Sequence, residues 1–239
     1  VEGLAAGLSG DDDDRKRRGR YARSHVPIRG ATMKLWLASY APNPRRVAMF
    51  LAEKAAGDEI EKIVISLPEG EHRTEAYRQK SPLGQTPCLE LDDGRILTES
   101  RAICTYLESL YPSPNLMGAD AYERAEIEMW DRRAELMFSM PLMLWVRHGS
   151  PILAKVELNQ NAAVAEYYRD QALRMAGWFD QRLKDHLFIA GDRFTNADIT
   201  VLAGMDFAKM MRWRPGEDLP HLAAWRARMG ERACGQTPP

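Results

Sequence analysis

Two short segments of this chain put polar groups where an anion could be held. Glu99-Ser100 stands directly between a strand pattern and a helix pattern. A helix N-terminus carries unpaired N–H groups and partial positive charge, so it attracts anions. Ser100 adds a hydroxyl and an N–H, and Glu99 adds an acceptor. Plain capping of a first turn accounts for the same two residues and stays open. The second segment, Ser39-Tyr40-Ala41-Pro42-Asn43-Pro44-Arg45-Arg46, also leads from a strand into a helix. Ser39 and Tyr40 offer hydroxyls and Asn43 an amide. Asn43 reads equally as an N-cap, with Pro44 at the first helical position, and Tyr40 as a surface aromatic.

The elements that must position these groups follow from pattern. Lys34 to Ala38 reads as a strand and Asn43 to Ala55 as a helix, with Val47, Phe50 and Leu51 at helical spacing. Ile60 to Ser66 reads as a strand, followed by a polar stretch with a short helix near Thr74 to Gln79. Pro87 to Leu91 and Arg95 to Thr98 flank Asp93-Gly94, a strong hairpin signal. Glu99 to Leu110 is an amphipathic helix. The order is β-α-β-α-β-β-α over residues 33–112, and residues 113–118 read as a linker, within a stretch from Tyr111 to Gly118 that carries two prolines and a glycine. Residues 119–236 read as helix throughout: Ala121 to Arg147 bent at Pro141, then Val156 to His186, Asn196 to Met211 and Pro220 to Met229.

Composition narrows the classes. The chain has 239 residues with a net charge of -1, which argues against general attraction to nucleic acid or anionic membrane. No apolar run is long enough to span a bilayer. Cys88, Cys104 and Cys234 form neither a CxxC pair nor a zinc-ligand spacing, so no metal is expected, and a reducing, cytoplasmic setting fits. Cys88 and Cys104 read as small buried hydrophobes, and Cys234 as exposed near the C-terminus. Residues 1–32 carry four aspartates and then a basic cluster with no apolar period, and read as a disordered leader with no part in the fold. Val1 as first residue, with Met33 just before the strand pattern, fits either a start assigned too far upstream or a leader added to the natural chain.

Four segments together resemble the cytosolic glutathione transferases, from Met33 to about Cys234. They are Ser81-Pro82-Leu83-Gly84-Gln85-Thr86-Pro87, Glu99-Ser100-Arg101-Ala102-Ile103, Gly70-Glu71-His72-Arg73 and Phe194-Thr195-Asn196-Ala197-Asp198-Ile199. The resemblance implies a thioredoxin-like N-terminal domain followed by an all-helical one, glutathione as co-substrate, and a homodimer with Arg101 and the first long helix near its interface. It implies a cis bond before Pro87, with Thr86 pairing its N–H and C=O to the cysteinyl backbone of glutathione. Ser100 would hold the γ-glutamyl carboxylate and Glu99 the ammonium, while His72 and Gln85 would meet the glycine carboxylate. Thr195 and Asp198 would form a helix cap with no catalytic role, worth ~0.5–2 kcal/mol.

The implied reaction is attack by the glutathione thiolate on an electrophilic, mostly apolar small molecule. The position where the family carries a catalytic Ser or Cys is Ala41 here, so activation would fall to Asn43, with Ser39 and Tyr40 in reach. One branch of the family with disulfide-reductase activity resembles this use of an Asn two residues on. Glutathione-dependent disulfide or peroxide reduction, and a non-catalytic binding module, are the alternatives. Met137, Phe138, Met140 and Met143 read either as an acceptor wall between the two parts of the chain or as core.

Overall fold

The computed structural model describes residues 33–238. Residues 1–32, read above as a leader, lie outside the described residues. Strand β1 (Lys34–Leu37) sits inside a four-stranded sheet of order β2-β1-β3-β4. β2 (Glu61–Val64) runs parallel to β1, which requires a crossover, and α1 (Pro42–Glu53) supplies it. β3 (Cys88–Glu90) is antiparallel to β1, with Cys88 opposite Trp36. β4 (Ile96–Thr98) returns through the Asp93-Gly94 turn, so that Thr98 faces Cys88.

Alternation along β1 divides the two faces of the sheet. Leu35 points into the main core with Val47, Phe50 and Leu51 of α1 and Leu89 of β3, all fully buried. Trp36 packs on the other face, against a small cluster of Ala38, Ile65 and Tyr77. Tyr77 comes from α2 (Glu75–Arg78), a single turn capped by the Thr74 hydroxyl. α3 (Ser100–Leu110) starts one residue after β4. The order is thus β-α-β-α-β-β-α, and among the described residues no strand follows Thr98.

The helices beyond depart from the sequence reading in three places. α4 (Ala121–Ala134) does not run straight to Arg147: it widens into a π turn (Glu135–Ser139) and continues as α5 (Met140–Gly149). Pro141 has no N–H for the Met137 carbonyl, and the turn before it absorbs the missing bond. α6 (Ala162–Leu183) begins later than Val156, because Asn161 caps it by accepting from the N–H groups of Ala163 and Val164 at 3.0 and 3.3 Å. α7 (Asn196–Ala208) is buried on almost every side. After α8 (Pro220–Glu231) a short α9 (Ala233–Gln236), absent from the sequence reading, folds back on α1. It buries Cys234 completely, against the expectation of exposure; the Glu53 carboxylate accepts from the Cys234 N–H at 3.0 Å and from Arg232 at 2.7 Å.

Candidate functional site at one end of the sheet

The register gathers the polar segments. β1 ends toward Ser39, and Trp36 lies opposite Cys88, so the residues just after β1 meet those just before β3. Thr98 also lies opposite Cys88, so Glu99 and Ser100 leave β4 at the same end. β2 is parallel to β1 and releases the chain there too, into the Ser66–Arg73 loop. Asn43, Thr86, Pro87, Glu99, Ser100 and the loop bearing His72 therefore belong to one end of one sheet.

At the start of α1 the N-cap is Ala41, not Asn43, and its side chain has nothing with which to cap. Asn43 is the second helical residue and half-buried. Pro42 and Pro44 have no N–H, and that of Arg45 donates to the Ala41 carbonyl at 3.1 Å. Among the described residues no group accepts the N–H of Asn43, and its side-chain amide is not spent on a cap. Ser39 and Tyr40 are exposed, Tyr40 with φ 64°, and line a cavity of about 340 Å³ with Val64, Ser66, Leu67 and Glu71.

The Thr86–Pro87 bond is cis. Among the described residues no main-chain group bonds the N–H or C=O of Thr86, which leaves both open at the sheet end. The Gln85 backbone is fixed: its carbonyl accepts from the hydroxyls of Tyr77 (2.9 Å) and Ser81 (2.8 Å), and its N–H donates to Ser81 at 3.2 Å. Its side chain is exposed. Gly84, at φ 62°, lies so close to the His72 turn that a Cβ there would stand 2.8 Å from the His72 carbonyl oxygen. The Ser81–Pro87 loop and the His72 turn are thus packed backbone to backbone. The Nε2 of His72 accepts from Arg73 at 3.2 Å, so the proton of a neutral ring is on Nδ1, which has no partner among the described residues. Burial, then the charges of Arg73 and Arg78, hold the His72 pKa below the usual imidazole range. Arg73 also donates to the Val156 carbonyl at 3.2 Å, joining this turn to the helical part.

Glu99 is exposed and takes φ 64°, a left-handed backbone that is uncommon for a residue with a side chain. Ser100 is buried at the first position of α3, and its hydroxyl oxygen accepts from Arg46 Nη1 at 3.2 Å. The same Nη1 donates to Glu135 at 2.8 Å. Neither Arg46 nor Glu135 stood among the candidates. A signal existed: Arg46 shares a helical face with Met49 and Phe50, and a cation on a buried face needs a partner.

The remaining candidates lie apart from this end. Asp198 is fully buried and accepts from the Thr195 N–H at 2.9 Å, the Ile189 N–H at 3.0 Å and Trp225 Nε1 at 3.0 Å. The Thr195–Asp198 exchange is a capping box tied into the core of the helices. Phe138 is core, edge-on to Phe179 and Trp213, while Met137 and Met140 are exposed. All three cysteines are buried. Burial pushes the Cys88 thiol up to about 11 and that of Cys104 up to about 12, and burial followed by Glu53 raises that of Cys234. None is a ready nucleophile.

Residues 40–110 match the family described as glutathione S-transferase, N-terminal domain, and residues 136–233 match the C-terminal domain of the same family. Glutathione S-transferase 2 of Saccharomyces cerevisiae is 38% identical over 192 residues, covering 80% of this chain and 82% of that one. Human glutathione S-transferase theta-2 is 32% identical over 194 residues, covering 76% and 75%. The crystal structure of Gtt2 from Saccharomyces cerevisiae superposes with a TM-score of 0.80 at 36% identity, over 85% of this chain and 99% of that one. These matches span the strands, the loops at the sheet end and the helices behind them, and by them the chain belongs to the glutathione S-transferase family.

Proposed function

We propose that this chain is a glutathione transferase that holds the tripeptide at the sheet end and delivers its thiolate to an electrophilic, mostly apolar small molecule. The observation that carries the reading is the convergence there of a helix start with a free Asn43 N–H, an open extended backbone at Thr86 and a second helix start at Ser100. Thr86, held by Pro87, pairs with the cysteinyl backbone. Ser100 and the first turn of α3 take the γ-glutamyl carboxylate, Glu99 the ammonium, and His72 with Gln85 the glycine carboxylate.

A free thiol has a pKa near 8.5, so only a few per cent is ionised at pH 7. Lowering it by two units takes ~2.7 kcal/mol of preference for the anion. A hydrogen bond from the Asn43 amide to a charged sulfur is worth ~1.5–3 kcal/mol, and the helix end adds ~0.3–1 kcal/mol. The sum reaches what is needed without a hydroxyl at Ala41. Ser39 and Tyr40, on the exposed side of the same loop, are secondary donors.

Residues 33–112 then form the glutathione-binding domain and 119–236 the helical domain, joined through 113–118; the separate matches to 40–110 and 136–233 support this division. Among the described residues no helix is long and apolar enough to cross a membrane, and three free thiols suit the cytoplasm. A second copy of the chain would cover Tyr122, Met129 and Leu136, exposed at steps of seven along α4 and the π turn. Sedimentation of the native chain as a dimer, and of Met129→Glu as a monomer, would support that arrangement.

The test of function is a calorimetric titration with glutathione, then turnover with a chlorodinitrobenzene electrophile. Saturable binding with conjugation supports transfer. Turnover of a glutathione-accessible disulfide alone would replace transfer by reduction. No binding at millimolar glutathione would overturn the reading.

A further inference from the structure

Arg46 has no part in the roles above, yet it is only 2% exposed. A buried guanidinium survives in a core only where its charge and its N–H groups are met. Here one nitrogen, Nη1, meets two groups from two other elements: Glu135 Oε1 at 2.8 Å and Ser100 Oγ at 3.2 Å. Glu135 is the first residue of the π turn and is held in place by Arg132 on its other oxygen. Such turns recur at functional sites, and this one brings a carboxylate to the inner side of α1.

The contact has a consequence for the serine. A guanidinium only donates, so the Ser100 oxygen must be accepting from it. A hydroxyl carries one proton, and among the described residues Ser100 Oγ donates to no protein group. With a lone pair turned to Arg46, the proton is left for an acceptor outside the protein. Ser100 opens α3, so its proton and the first-turn N–H groups of that helix share one neighbourhood.

We propose that Arg46, held by Glu135, is a positioning residue: it turns the Ser100 hydroxyl proton toward the γ-glutamyl carboxylate of glutathione and sets a positive charge behind it. This rests on the reading of Ser100 given above. Arg46 does not touch the ligand; it acts through the serine.

The experiment measures Kd by calorimetry on the full chain for two ligands, glutathione and its analogue with the γ-glutamyl α-carboxylate converted to a carboxamide. The ratio of the two isolates the carboxylate. Ser100→Ala should cut the preference for glutathione about tenfold, as loss of a hydrogen bond to a charged group does. Arg46→Met combined with Glu135→Gln, which removes both charges and leaves neither unpaired, should cut it by about as much. Added to Ser100→Ala it should cut little more, since both act on one contact. Should that paired variant not fold, Arg46→Lys carries the test, with about a threefold loss of preference from an ammonium that does not reach both partners so well. In every case the carboxamide, whose C=O accepts only a weaker, uncharged hydrogen bond from Ser100, should lose less affinity than glutathione does. A folded Arg46 variant with the wild-type ratio, equal losses for both ligands, or fully additive losses would overturn the proposal while leaving Ser100 in its role. A wild type or a Ser100→Ala variant that fails to shift the ratio as stated would overturn the reading of Ser100 and the proposal with it.

Discussion

Gly84→Ala tests how the two ligand-facing loops are joined. Gly84 has φ 62°, and a Cβ built there stands 2.8 Å from the His72 carbonyl oxygen. A left-handed backbone costs a residue with a side chain ~1–2 kcal/mol. The contact adds overpacking of ~1–3 kcal/mol, relieved only if the Ser81–Pro87 loop or the His72 turn moves. Gly94 is the control: at φ 82° nothing lies within 4 Å of its Cβ position, so Gly94→Ala carries the backbone cost alone. Urea unfolding should therefore place Gly84→Ala below Gly94→Ala by roughly 1–3 kcal/mol. If His72 and Gln85 meet the glycine carboxylate, the displaced turn loses a hydrogen bond to a charged group, worth ~1.5–3 kcal/mol or about tenfold or more in Kd. γ-Glutamylcysteine has no glycine and keeps only the Thr86 contact to this loop pair, so Gly84→Ala should weaken it less than it weakens glutathione. Equal loss for both ligands, or none for either, would refute the assignment of this loop pair to the glycine end.

Asp198→Asn keeps the shape of the buried cap but turns an NH2 toward N–H groups that now donate to a carboxylate, so at least one is orphaned. Its unfolding free energy should fall by ~1–3 kcal/mol, and an unchanged urea midpoint would contradict the cap. His72 should titrate below the free imidazole value, through burial and then the charges of Arg73 and Arg78. Its folded pKa is the lower one, so the stability it contributes is present above the unfolded pKa and is lost as pH falls toward the folded one. An NMR titration in which Arg73→Ala leaves the His72 pKa unmoved would remove that cause. The three buried thiols should resist a disulfide-exchange reagent in the native chain and all react after denaturation; one fast thiol would show that burial is not protecting it.

The strands and the first helices were legible because their signals are local. Asp93-Gly94 declares its own hairpin, and the spacing of Val47, Phe50 and Leu51 declares the buried face of α1. What could not be read is set by partners distant in sequence. Asn43 looked like a cap because Asn-Pro commonly opens a helix, yet Pro42 can take the first helical position as well, and the helix starts there over a bare Ala41. The π turn follows from a missing N–H at Pro141, but the partner of its first residue, Glu135, is Arg46, far upstream. Cys234 is buried where its N–H donates to Glu53 of α1, a partner far off in sequence. The polar segments at the sheet end were each visible, but their meeting depends on strand order and register, which no single segment encodes.

The central claim is that the start of α1 holds glutathione as its thiolate. The direct measurement is the ultraviolet thiolate absorbance of bound glutathione followed against pH, in the wild type and in Asn43→Ala. A bound thiol pKa well below about 8.5, rising toward that value in Asn43→Ala, is the result expected. A bound thiol that titrates like the free one in both proteins would contradict the account.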